Sequence, residues 1–159
     1  MLFRSLVDRD PPRVLVTGRT AYGMSAFGEH LIGEEVEGAA TAAAAAIDAD
    51  ITDFAMMAVF PHHPGELGGH RWVVEFAVAP PAGAAERFAA VLDSTLSDAN
   101  DDYRAHRAGM APPRVVVVPP GTFADWMKHR GRLGGQNKVP RIINDPALAA
   151  DLAAFVGAP

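Results

Sequence analysis

Two apolar runs, residues 53–60 and 72–78, constrain the fold of this chain more than any other feature. Each has the length and the aliphatic and aromatic content of a β-strand. Between them lies Pro61-His62-His63-Pro64-Gly65-Glu66-Leu67-Gly68-Gly69, whose prolines and glycines favour a reversal. The three segments together predict an antiparallel hairpin, ended by Pro80-Pro81.

The flanks supply its cover. From Gly33 the pattern turns helical: Glu34 and Glu35 suit the positive end of a helix dipole, and the alanines through Ala46 are strong helix formers. Val36 and Ile47 give that helix an apolar side. Upstream, Val14-Leu15-Val16 reads as a short strand. Downstream, Phe88, Val91, Leu92 and Leu96 recur on one helical face, and Val115 to Val118 is a continuous apolar run of the kind found in buried strands. Thr122 with Asp125 three residues on resembles a capping box. Asp145-Pro146 pairs a cap with proline at the first helical position, and Gly157 is placed to end that helix. The order β-α-β-β-α-β with two further helices predicts an α+β fold. Its simplest form is a split βαβ plait: a four-stranded, mostly antiparallel sheet covered by helices, plus C-terminal helices. We find no internal repeat. Residues 1–12 read as a non-native or linker N-terminus, since Met1-Leu2-Phe3-Arg4-Ser5 resembles a translated sequencing adapter, and 13–159 read as a single domain.

Composition excludes several classes. The net charge of −5 opposes a nucleic-acid partner. No stretch approaches the roughly 20 apolar residues of a membrane span, so no membrane partner is expected. Cysteine is absent, which removes disulfides and thiolate metal sites and fits a cytoplasmic chain. His62, His63 and His70 with Glu66 match no closed zinc spacing, and no metal site is expected.

The chemistry concentrates in a basic island. Lys128, His129, Arg130, Arg132, Lys138 and Arg141 follow one another with no acid between Asp125 and Asp145. Within it, Gly134 and Gly135 allow backbone N–H groups to approach an anion, Gln136 and Asn137 add amide donors, and Lys138 adds a point charge. Pro140 holds Val139 extended. The segment suits phosphate or carboxylate recognition, or it is a solvated basic loop. It is not a Walker loop.

Taken together, Leu92-Asp93, Asn100-Asp101-Asp102-Tyr103, Arg107, Gly121-Thr122-Phe123, Trp126-Met127 and Gly135-Gln136-Asn137-Lys138-Val139-Pro140-Arg141 resemble the C-terminal domain of the auxin-responsive Gretchen Hagen acyl-acid amido synthetase family, particularly its bacterial members. Gly18-Arg19, Ser25-Ala26-Phe27-Gly28-Glu29 and Gly69-His70 look like its hinge and the start of its small domain. The resemblance implies a luciferase-like, adenylate-forming enzyme whose C-terminal domain is a mobile lid. It implies ATP and Mg²⁺ in a full-length parent, an absent N-terminal adenylation domain as partner, and carboxylic acid and amine substrates. It further implies Lys138 as the catalytic cation, with Arg19, Glu29, Gly135 and Gln136 near the nucleotide. The phosphate loop and acid pocket of such enzymes have no counterpart here, so the chain alone is expected to be inactive. A stand-alone small-molecule-binding or regulatory plait is the alternative.

Overall fold

The computed structural model describes residues 2–6, 13–18, 23–132 and 138–158. Its centre is the expected hairpin, β5 (Ile51–Val59) and β6 (Gly69–Phe76), paired antiparallel with Met56 opposite Trp72. β7 (Arg114–Val118) adds to the far side of β6 and β8 (Ile142–Ile143) to the far side of β5, both parallel, giving the order β7-β6-β5-β8. The α+β class and the four-stranded sheet are as expected. The sheet is mixed, with one antiparallel pairing between two parallel ones.

Its strands differ from the expected set at both ends. The predicted first strand, within β2 (Arg13–Gly18), does not join the sheet. It pairs antiparallel with β1 (Leu2–Leu6), so part of the expected linker is strand. A second short ribbon joins β3 (Gly23–Met24) and β4 (Leu31–Ile32). The fourth strand of the main sheet is instead β8. Two isoleucines carry no periodicity, and pairing with Met56 and Met57 is what makes them a strand. The valine run also departs from expectation. β7 is an edge strand with Val117 37% exposed, because β6 covers only one of its sides.

Helices cover both sheet faces. Since strand side chains alternate, Phe54 and Met56 of β5 face one way with Trp72, Val74 and Phe76 of β6. There they meet α1 (Gly33–Ala46), α2 (Ala84–Ala99) and α3 (Asp101–His106). Ala55, Met57 and Val73 face the other way, against α4 (Thr122–His129) and α5 (Pro146–Phe155). The alanine stretch packs Ala39, Ala40 and Ala43 fully inside, where small side chains let α1 lie close to the sheet and to α2. Phe88 of α2 meets Phe76 edge to face at 5.7 Å.

The helix ends explain several of the conspicuous residues. Asn100 caps α3: its Oδ1 accepts from Tyr103 N at 2.7 Å, and its Nδ2 donates to Glu35 at 2.9 Å. Asp93 accepts from the Tyr103 hydroxyl at 2.9 Å and from Arg107 Nε at 2.6 Å. Burial and the neighbouring Asp93 push the Tyr103 hydroxyl above its ordinary pKa, so it stays a donor at any physiological pH. Asp145 caps α5 and Gly157 ends it with φ of 64°, as expected. The capping box at Thr122 does not form. Gly121, at φ of 89°, is the cap residue of α4, and the acceptor comes from the sheet. Glu75 of β6 accepts from Gly121 N at 2.9 Å and from Phe123 N at 2.8 Å, while Thr122 turns its backbone N–H and hydroxyl to Pro119 O at 3.2 and 2.6 Å.

Glu75 is 3% exposed, and its two bonds are charge-assisted. Glu75→Ala should lower unfolding free energy by about 3 kcal/mol in urea titrations. The exposed first-turn acid Glu86 is the comparison: Glu86→Ala should stay within about 0.5 kcal/mol of wild type.

Candidate functional site

Lys138 lies exposed on the loop between α4 and β8, where the sequence places it. It sits on the rim of an open cleft of 1140 Å³. One wall is α1 with the start of β5, bearing Glu37, Thr41, Asp50 and Asp53. The opposite wall is α4 with its following loop, bearing Phe123, Met127, Arg132, Lys138 and Arg141. Glu75 and Phe54 line the floor.

The basic island does not present all its charge here. Arg130 stacks over Trp126 at 5.0 Å and approaches Asp151 at 3.5 Å, while Trp126 Nε1 donates to the same carboxylate at 2.8 Å. Arg141 pairs with Asp53, donates to Phe54 O at 3.1 Å and lies over the Phe54 ring at 4.6 Å. Neither arginine pairs with the nearby acids Asp125 and Asp145; α5 brings Asp151 to Arg130, and the sheet brings Asp53 to Arg141. Lys138 makes no hydrogen bond or ion pair to the described residues. With Arg132 it carries the positive charge facing the cleft.

The remaining candidates separate. Arg19, Gly135 and Gln136, with Gly134 and Asn137, lie outside the described residues. Glu29 is not in the cleft. Its side chain has no solvent exposure: it accepts from Ala26 N at 3.1 Å, Phe27 N at 2.6 Å and His70 Nε2 at 2.8 Å. A contact between this carboxylate and a nucleotide would require breaking that set. His70 sits between the rings of Phe27 and Tyr103, at 5.8 and 6.1 Å. The preceding Gly69 is needed for close approach, since a Cβ there would fall 2.8 Å from Ala111 O. The histidine grouping considered for a metal does not assemble. His70 is buried with Glu29, and Glu66 instead accepts from the backbone N–H groups of His62 and His63, both at 3.2 Å. Among the described residues no helix is long and apolar enough to cross a membrane.

Asp53, Glu75, Glu37 and Asp50 were not legible as cleft residues. They lie 63 to 101 positions from Lys138, and only sheet pairing and helix packing bring them to it. The Glu29–His70 pair was legible only as two separate pieces of the resemblance.

The pair gives the domain an acid-sensitive joint. Burial alone would raise the Glu29 pKa. The hydrogen bond and charge of His70, with the backbone N–H groups, outweigh it and hold the carboxyl at about 2 instead of 4.5. A lowered folded-state pKa stabilises fully above about pH 4.5, and that stability is lost as pH falls toward 2. Glu29→Gln should therefore cost on the order of 3 kcal/mol at pH 7 and progressively less below pH 4.5. Urea midpoints across pH 2–7 for both proteins check this; parallel curves would contradict it.

Comparison with known proteins agrees with this architecture. The model of the GH3 family C-terminal domain matches residues 34–147. The solved structure of GH3.15 acyl acid amido synthetase superposes with a TM-score of 0.69 at 20% identity, covering 91% of this chain and 28% of that one. AtGH3.15 acyl acid amido synthetase in complex with 2,4-DB gives 0.70 at 19% identity, covering 91% and 27%. The chain thus spans little more than a quarter of the proteins it superposes on. No curated protein matches it.

Proposed function

Because the chain belongs to the GH3 family and corresponds to its C-terminal domain, we propose that it is the lid of an ATP-dependent acyl-acid amido synthetase. In the proposed reaction a substrate carboxylate attacks the α-phosphorus of ATP. The new O–P bond gives an acyl-adenylate, and the bond to the β-phosphate breaks to release pyrophosphate. An amine then attacks the acyl carbon, loses a proton and expels AMP. ATP with Mg²⁺ and the acid would be held chiefly by an N-terminal adenylation domain, and the amine between that domain and this chain. Use of ATP suits a cytoplasmic setting.

The observation that carries the proposal is Lys138: exposed, on the rim of a cleft, and uncommitted to any described residue. Adenylation gathers negative charge on the α-phosphate oxygens, and a cation delivered by a closing lid offsets it where water is scarce. The second step expels a phosphate group already formed and needs less such help. Gly135 and Gln136, just before Lys138, would add backbone and amide donors, and Arg19 would lie at the hinge. Glu29 would act on the nucleotide only indirectly, by folding the Ser25–Glu29 loop against His70.

In the full-length parent, Lys138→Ala should slow pyrophosphate exchange by on the order of 10²–10³. Single-turnover aminolysis of preformed acyl-adenylate should change far less. Equal losses in both half-reactions would point to a general structural role, and no loss would return Lys138 to a solvated loop. The 159-residue chain by itself should release no pyrophosphate from ATP above background with any carboxylic acid. Turnover by the purified chain would overturn its reading as a partial site.

A further inference from the structure

We infer that Asp53 is a positioning residue for Lys138, acting through Arg141. This deepens the reading of Lys138 as the phosphate-facing cation and rests on it.

Arg141 is held to β5 from two directions. Its guanidinium pairs with Asp53, donates to Phe54 O at 3.1 Å and lies 4.6 Å over the Phe54 ring. Its backbone carbonyl accepts from Met56 N at 2.8 Å, where β8 begins to pair with β5. The residue is fixed to the central strand at both side chain and main chain, and both partners of its ion pair are less than a third exposed.

Lys138 stands three positions earlier, so its Cα can lie at most about 11 Å from that of Arg141. Pro140 further narrows the paths between them by fixing its own φ and disfavouring helical geometry at Val139. Fixing Arg141 therefore restricts the arc over which the Lys138 ammonium can swing. At its other end the segment follows α4, whose first turn Glu75 ties to β6. Both anchors are acids of the central hairpin, and both line the cleft that Lys138 borders.

Removing the Asp53 charge frees the arginine in two senses. The loop loses an attachment, and a further unpaired cation becomes available beside Lys138 and Arg132. Misplacement of a reacting group by about an ångström can cost up to 10²-fold in rate, whereas uniform substrate binding is unaffected by such a shift. Asp53 should therefore influence kcat of adenylation more than the KM for ATP.

Two measurements test this. In the 159-residue chain, Asp53→Asn should lower ¹⁵N order parameters at Lys138, Val139 and Arg141 relative to wild type, leaving Met56 and Val73 unchanged. Unchanged order at the loop would overturn the inference by itself, whatever Lys138 does. In the parent enzyme, Asp53→Asn should reduce kcat for pyrophosphate exchange by roughly 10-fold. The same substitution in a Lys138→Ala background should add nothing, because the group it positions is gone. Full additivity, or equal loss in aminolysis, would overturn the inference while leaving the role of Lys138 intact. A Lys138→Ala enzyme as fast as wild type would remove the functional reading, and this inference with it.

Discussion

Burial of β6 on both faces is the constraint on which the rest of the structure depends. All eight of its residues are buried, yet His70, Arg71 and Glu75 are polar. A polar group so enclosed is costly unless it is hydrogen-bonded. Each of the three finds its partner on a peripheral element. His70 holds Glu29 of the loop before β4, Arg71 donates to Ala158 O beyond α5 at 3.2 Å, and Glu75 caps α4. Burial, with the like charge of Arg114, lowers the Arg71 pKa from its ordinary value. The central strand thus fixes the periphery through obligatory pairings as well as through apolar contact.

The cleft inherits its order from the same hairpin. Glu75 of β6 and Phe54 of β5 line its floor, and its walls are built on helices placed by the two cores on either side of the sheet. Positive charge on the loop after α4 is divided by this arrangement. Arg130 and Arg141 are drawn onto aromatic rings and carboxylates, where they serve packing, and Lys138 is left exposed at the cleft with Arg132. Arginine suits the first role because its planar group stacks and forks, and lysine the second because its charge is compact and its stem mobile.

Most of the residues that carry the family resemblance prove to be architectural. Asp93, Asn100, Tyr103 and Arg107 tie α2 to α3 and to the turn that follows. Gly121 supplies the left-handed residue from which α4 starts, and Gly69 admits Ala111 at close range. Such positions tolerate little change because each combines a backbone demand with a buried partner.

The sequence determined what local physics can encode. The hairpin followed from two strand-like runs around a Pro/Gly-rich reversal, α5 from Asp145-Pro146, α1 from its acids and alanines, and the exposure of Lys138 from the glycines, amides and proline around it in sequence. Tertiary structure decided whatever needed a partner distant in the chain. It made Ile142-Ile143 a strand by pairing them with Met56 and Met57, and set β2 outside the main sheet. It moved the cap of α4 from Thr122 to Gly121 with Glu75 as acceptor, and gave Arg141 an acid 88 residues away. The reason is common to all four. Hydrophobic period and capping preference are properties of a few neighbouring residues, whereas satisfying a buried charge or completing a sheet edge depends on which surfaces the whole chain brings together.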